Sequence, residues 1–236
     1  MRLLVQFPTL ARPQKFLSVL DQYITTLSNW NEVFFNINCD AEDETMNNEE
    51  MVSSINKILS KRHEARGVIN FDEETDKISA INAHVDEQAF DVVICASDDM
   101  LPKVYSWDQR IAIAMQKYFP DLDGCIHFND GNTNGELITF SILGKKLYQY
   151  FGYIYHPDYK SLYCDDEFTQ VVRAMGKEKY IDEVIITHEH YSLEGSDNHG
   201  DIDYAAKKTL HYSGRDHIVF QKRKELGFPK HRITGD

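Results

Sequence analysis

The stretch Phe90-Asp91-Val92-Val93-Ile94-Cys95-Ala96-Ser97-Asp98-Asp99 decides the fold. Its first seven residues are apolar but for Asp91, too continuous a run for a strand with one face in water. Such a run suits a central strand of a parallel sheet, covered on both faces. Two carboxylates follow it directly. Ligands of open α/β sheets bind outside the carboxyl ends of the strands, so Asp98 and Asp99 are expected at a crevice. Adjacent carboxylates repel and stay ionised most easily beside a cation. Oxygen donors of this kind suit Mn2+ or Mg2+, which also bridge phosphate oxygens. A plainer use of either aspartate is to cap the helix expected from Pro102.

Working outward, apolar runs and helical spacings alternate through the first 120 residues. Strands are expected over 3–7, 33–38, 67–71 and 90–96, and helices over 13–27, 49–62, 75–87 and 102–119. The second half is less regular. It offers strands at 125–128 and 138–142 around the turn Asn129-Asp130-Gly131-Asn132, then an aromatic-rich stretch from Tyr148 to Tyr163. A helix over 165–175, a strand over 184–187 and helices over 201–210 and 215–226 complete the reading. This order predicts an α/β fold with a mostly parallel central sheet flanked by helices.

The 236 residues carry 25 Lys and Arg against 38 Asp and Glu, a formal charge of −13. That balance argues against nucleic acid as a partner. Phosphate-bearing ligands stay possible, because a metal supplies positive charge. No apolar run approaches the roughly 20 residues of a transmembrane segment. Cys39, Cys95, Cys125 and Cys164 lie far apart with no C-x-x-C, which fits reduced thiols and a cytoplasmic location rather than a zinc finger.

Three segments together resemble family 2 glycosyltransferases of the GT-A fold. They are Phe7-Pro8-Thr9-Leu10-Ala11-Arg12-Pro13, the strand end Asn38-Cys39-Asp40, and Ala96-Ser97-Asp98-Asp99. The resemblance implies a single GT-A-type, Rossmann-like domain over 1–236. Residues 1–120 would form its nucleotide-sugar half, and 121–236 its acceptor half with C-terminal helices. Pro8, Thr9, Arg12 and Ser97 would line the nucleotide pocket, and Asp40 would accept from the base. Lys77 and Asn82 match a segment that approaches the nucleotide. The family's metal-binding aspartate falls on Asp98, with Asp99 beside it, whereas the first aspartate of its Asp-x-Asp motif falls on Ala96.

Asp165-Asp166-Glu167 resembles the family's second acidic motif, which carries the catalytic base. The spacing to Arg173 favours the pair Asp166-Glu167, while similar chains emphasise Asp165. The choice stays open, with Asp166 in the middle. Acidic residues also suit any first helical turn. His188 and His190, in Thr187-His188-Glu189-His190, point the same way if that segment is a strand. One of them fits the histidine that completes the metal site in many GT-A enzymes. Metallo-β-lactamase-fold hydrolases also carry a Thr-His-x-His sequence, but here Ser192 takes the place of the Asp that follows. Arg215 and Arg223 are candidate phosphate contacts, and the loop 195–200 is a candidate cover for the nucleotide.

The expected activity is metal-dependent, inverting transfer of a sugar from a UDP- or GDP-type sugar to a hydroxyl of a saccharide or other acceptor. The alternatives are a metal-dependent hydrolase or nucleotidyltransferase, and a degenerate sugar-binding module without catalysis. The absence of a basic Gly-rich loop after the first strand weighs against the nucleotidyltransferase, and Ala96 leans toward the module.

Overall fold

The computed structural model describes residues 1–73, 76–189 and 204–233, the last segment with side chains from 211 onward. The first half runs β1 (Arg2–Pro8), α1 (Pro13–Thr25), β2 (Glu32–Asp40), α2 (Glu49–Leu59), β3 (Ala65–Asp72), α3 (Lys77–Asn82), β4 (Val92–Cys95), β5 (Met100–Pro102) and α4 (Trp107–Tyr118). The second half runs β6 (Cys125–Phe128), β7 (Ile142–Gly144), α5 (Lys145–Phe151), α6 (Cys164–Ala174), β8 (Glu178–Ile181), β9 (Ile186–His188) and α7 (Tyr204–Glu225).

Seven strands form one sheet in the order β3-β2-β1-β4-β7-β6-β8. β1 pairs in parallel with both β2 and β4, and β7 runs antiparallel to its neighbours β4 and β6. One apolar layer packs α1, α2 and α4 against one face of the sheet. A second packs α3, α5, α6 and α7 against the other. Burial on both faces explains why β1 and β4 carry almost no polar side chains.

Local chemistry sets several boundaries. Pro13 occupies the first turn of α1, where its missing N–H costs nothing. Asn48 caps α2 by accepting from the Met51 N–H at 2.9 Å. Asp76 caps α3 in the same way through the Ser79 N–H at 2.8 Å.

Some expected boundaries are corrected. The helix predicted from Pro102 begins at Trp107, because Met100–Pro102 pair with β9 instead. Neither Asp98 nor Asp99 caps it, since the residue before α4 is Ser106, at φ +63°. The helix predicted over 75–87 ends at Asn82, and His84 takes a left-handed conformation at φ +58°. The strand expected at 138–142 forms as Ile142–Gly144, and the two C-terminal helices are one, α7. Helix α5 and strand β8 were not anticipated. Lys145–Phe151 runs into the aromatic-rich stretch, and Glu178–Ile181 alternates too briefly to stand out.

A ladder of side-chain amides explains where α3 stops. Asn38 donates to the Ala80 carbonyl at 2.9 Å, Gln6 to Ala83 at 3.1 Å and Asn36 to His84 at 3.0 Å. Asn38 also donates to Gln6, and Asn70 donates to Asn38. These amides take the carbonyls of Ala80, Ala83 and His84, which a longer helix would use itself. The His84 ring lies 2.8 Å from Glu87 and 3.0 Å from Asp72. The bond to Glu87 raises its pKa, burial opposes, and Asp72 adds to the rise. Its stabilisation is therefore full below the unfolded value of about 6.5 and fades as pH rises through the higher folded value. His84→Asn, which keeps a residue tolerant of the left-handed backbone, should lose more stability at pH 5.5 than at pH 8 in urea unfolding, roughly. Equal losses at both would remove the ion pair from the account.

Candidate active site

A cleft of about 540 Å3 opens at the carboxyl ends of β1, β2 and β4. In the strand order, the connections from β1 and β4 diverge here, so the loops after the two strands part and leave a crevice. Both halves of the chain contribute walls.

On the first wall, Thr9 donates its hydroxyl to Asp98 at 3.3 Å, and Arg12 donates to the same carboxylate at 3.0 Å. Burial pushes the Asp98 pKa up, and the Asp99 charge adds to this against Arg12. Asp99 behaves oppositely. Burial works against its charge, but His188, the Ser97 hydroxyl and Lys77 together hold it well below the ordinary carboxylate range. The ladder between β5 and β9 brings His188 there: Met100 pairs with His188, and the Glu189 N–H donates to the Asp99 carbonyl at 2.7 Å. His188 Nε2 then stands 3.5 Å from Asp99 Oδ1. Of the two aspartates, Asp99 meets the histidine, while Asp98 is engaged by the start of α1.

Pro8, Thr9, Arg12, Asp40, Lys77, Ser97, Asp98, Asp99 and His188 all line the cleft. Lys77 reaches into it from the first turn of α3. Burial lowers its pKa, yet Cys164, Asp99 and Asp165 raise it further, so the ammonium stays charged. Among the described residues it has no ion-pair partner. Asn82 is not at the cleft. It accepts from the Ile154 and Tyr155 N–H groups and donates to the Tyr155 carbonyl, fastening α3 to the chain after α5. His190 and the loop 195–200 lie outside the described residues.

The acidic triplet is divided by the turn of α6. Asp165 lines the cleft, and its carboxylate accepts the Asp166 N–H at 3.1 Å. Asp166, the middle choice of the three, sits off the cleft and half-buried. Glu167 faces the interior, where Arg223 grips it at 2.7 and 2.8 Å and the Tyr159 hydroxyl donates to it at 2.7 Å. That also corrects the expectation for Arg223. It is fully buried and spent on Glu167 and Asp158. Arg215 donates to the Asp158 carbonyl and to Asp216.

Several cleft residues escaped sequence reasoning. Asp130, Asn132, Thr133 and Thr139 come from the loop after β6, and Lys160, Ser161 and Tyr212 from farther on. The Asn129-Asp130-Gly131-Asn132 turn was the available signal. Asp130 accepts from the N–H groups of Asn132 and Thr133 at 2.8 Å and from the Thr139 hydroxyl at 2.7 Å, which locks that loop. Its carbonyl also accepts the His188 N–H. The thiol of Cys95, raised by burial to about 12, stays neutral and is no nucleophile near pH 7, roughly.

No protein-family profile matches the chain, and no curated protein matches it in sequence. Solved structures do match in three dimensions. The mannosyltransferase PcManGT from Pyrobaculum calidifontis, in complex with GDP-Man and Mn2+, superposes with a TM-score of 0.60 at 13% identity over 80% of this chain. S. aureus TarS 1-349 in complex with UDP-GlcNAc gives 0.55 at 13% identity over 79%. A further TarS structure gives 0.55 at 11%. The chain spans 56% of the PcManGT chain and 36% to 57% of these TarS chains. The fold is therefore of the GT-A type, an α/β architecture that this chain shares with nucleotide-sugar-binding proteins.

Proposed function

We propose that the chain is a metal-dependent glycosyltransferase that moves a sugar from a nucleotide-diphosphate sugar to an acceptor hydroxyl. The observation that carries this is a cleft lined by Asp99 and His188 together with Asp165. The neighbours' ligands, GDP-Man with Mn2+ and UDP-GlcNAc, support the donor class.

Charge supports a cation. Among the described residues the cleft is lined by six carboxylates (Asp40, Asp76, Asp98, Asp99, Asp130 and Asp165) and three basic side chains (Arg12, Lys77 and Lys160). A diphosphate entering this excess of negative charge would be repelled unless a cation accompanied it. Asp99 and His188 fit such an ion, with an oxygen and an imidazole donor 3.5 Å apart. Among the described residues no cluster of three His, Cys, Asp or Glu would cage a metal alone. Two protein donors leave positions for phosphate oxygens and water, as Mg2+ and Mn2+ sites commonly do. Bound there, Mn2+ or Mg2+ would neutralise charge on the departing diphosphate.

The protein's own groups divide the remaining work. Arg12 and Lys77 attract the phosphates, and Asp40, with Pro8 and Thr9 nearby, borders the base. Asp165 takes the proton of the attacking hydroxyl. Asp130, the neighbouring carboxylate on that wall, is already saturated by hydrogen bonds. Direct displacement with Asp165 as the base gives inversion at the anomeric carbon. In this reading residues 1–120 hold the donor and 121–236 the acceptor.

A thermal-shift series of nucleoside diphosphates and their sugars, each with and without Mn2+, tests the reading. A ligand at 100 times its Kd should add about 2.7 kcal/mol. Asp99→Asn should abolish the metal-dependent part of the shift. A wild-type chain that no nucleotide stabilises, with or without metal, would overturn the assignment.

A further inference from the structure

The aliphatic hydroxyls of the cleft wall are nearly all committed. Thr9 donates to Asp98, Ser97 to Asp99, and Thr133 and Thr139 to Asp130. Ser161 is the exception. It lines the cleft and is only 3% exposed, yet its Oγ has no hydrogen-bond partner among the described residues. A buried hydroxyl without a partner carries a desolvation cost that native proteins usually avoid.

The main chain beside that hydroxyl is anything but loose. Asp216 of α7 is fully buried and takes three consecutive N–H groups, those of Lys160 at 3.2 Å, Ser161 at 2.8 Å and Leu162 at 2.9 Å. Lys160 Nζ reaches Asp76, the cap of α3, at 2.6 Å. The Lys160 carbonyl accepts the Ile78 N–H. Ser161 is thus held rigidly, four residues before Asp165, with its one side-chain polar atom left unused.

We propose that Ser161 is a substrate-binding residue whose hydroxyl, enclosed in the ligand-free protein, turns about its Cα–Cβ bond to meet a sugar hydroxyl in the cleft, with Asp216 positioning the 160–162 segment that carries it. This rests on the glycosyl-transfer reading above. A neutral hydroxyl that can donate and accept pairs best with another hydroxyl, whereas the diphosphate has Arg12 and Lys77 available to it. The sugar hydroxyl belongs either to the donor or to the acceptor, and the experiment separates the two.

Ser161→Ala removes the orphan oxygen and keeps the N–H that Asp216 holds. The ligand-free protein should melt at the same temperature or higher, because an unsatisfied buried group has gone. If the donor sugar is the partner, the variant should bind the nucleotide sugar with Mn2+ about five- to tenfold more weakly and the nucleoside diphosphate with Mn2+ equally well. If the acceptor is the partner, donor binding should hold and the acceptor KM should rise by a similar factor. A lower melting temperature with unchanged ligand behaviour would show a structural serine and overturn the proposal, as would an equal loss for the bare diphosphate. Ser161→Cys, slightly larger and with a much weaker hydrogen-bonding group, gives the same ligand readouts should the alanine variant fold poorly. Failure of the wild type itself to bind any nucleotide would mark the collapse of the glycosyl-transfer reading, and this proposal would fall with it.

Discussion

Asp165→Asn should lower kcat roughly 1,000-fold while leaving the metal-dependent binding of the nucleotide sugar intact. The asparagine fills the same volume and still accepts the Asp166 N–H, so the wall of the cleft survives. What disappears is the capacity to take a proton from the attacking hydroxyl. The contrast within the triplet sharpens the test. Asp166→Asn should change kcat by no more than a few-fold, because that carboxylate does not line the cleft. Glu167→Gln should act on stability instead, because its carboxylate is spent on Arg223 and Tyr159. Steady-state turnover and melting curves on the three variants separate these outcomes. Full activity in the Asp165 variant would return the search to Asp166.

Arg223→Met should cost about 3–5 kcal/mol of stability, a fall of roughly 10 °C or more in Tm for a chain of this size. Arg223, Glu167 and Asp158 are all at most 5% exposed. Removing the guanidinium takes its positive charge from two carboxylates in a place that water does not reach. It also frees the carbonyls of Pro229 and His231, which the same side chain ties down. Adding Glu167→Met to this variant should recover part of the loss, since it removes one stranded charge. Thermal unfolding of the two single variants and the double one would show this. Strictly additive losses would mean that the two residues do not act as a pair.

The parts of the molecule that were legible in its residues share a physical reason. β1, β2 and β4 are buried on both faces, so their composition alone betrays them. The ligand crevice of such a sheet lies at a known end, which directed attention to Thr9, Arg12, Asp40, Asp98 and Asp99. His188 was legible as a candidate, but not its pairing with Asp99. That contact depends on a short two-stranded ladder formed across 86 residues of chain. Asp165, Asp166 and Glu167 could not be ranked, because acids in a first helical turn look alike until the rotation of the helix is known. Arg223 misled for a related reason: an arginine bound for the interior and one bound for phosphate have the same letter. Ser161 and Lys160 carried no signal, because the residue that organises them, Asp216, lies 55 and 56 positions away.

The amides beneath the cleft bear on how the chain finds its fold. Gln6 stands opposite Asn36 across β1 and β2, and Asn38 opposite Asn70 across β2 and β3. Neighbouring apolar residues on a strand are nearly interchangeable, so three parallel strands rich in Val, Ile, Leu and Phe have many mispaired alignments of similar energy. Sliding β2 by a single position would thrust Asn36 and Asn38 into the opposite, wholly apolar layer and leave Gln6 and Asn70 unanswered. The amides therefore serve the nascent sheet as a vernier, rejecting misalignments that the greasy side chains alone would tolerate.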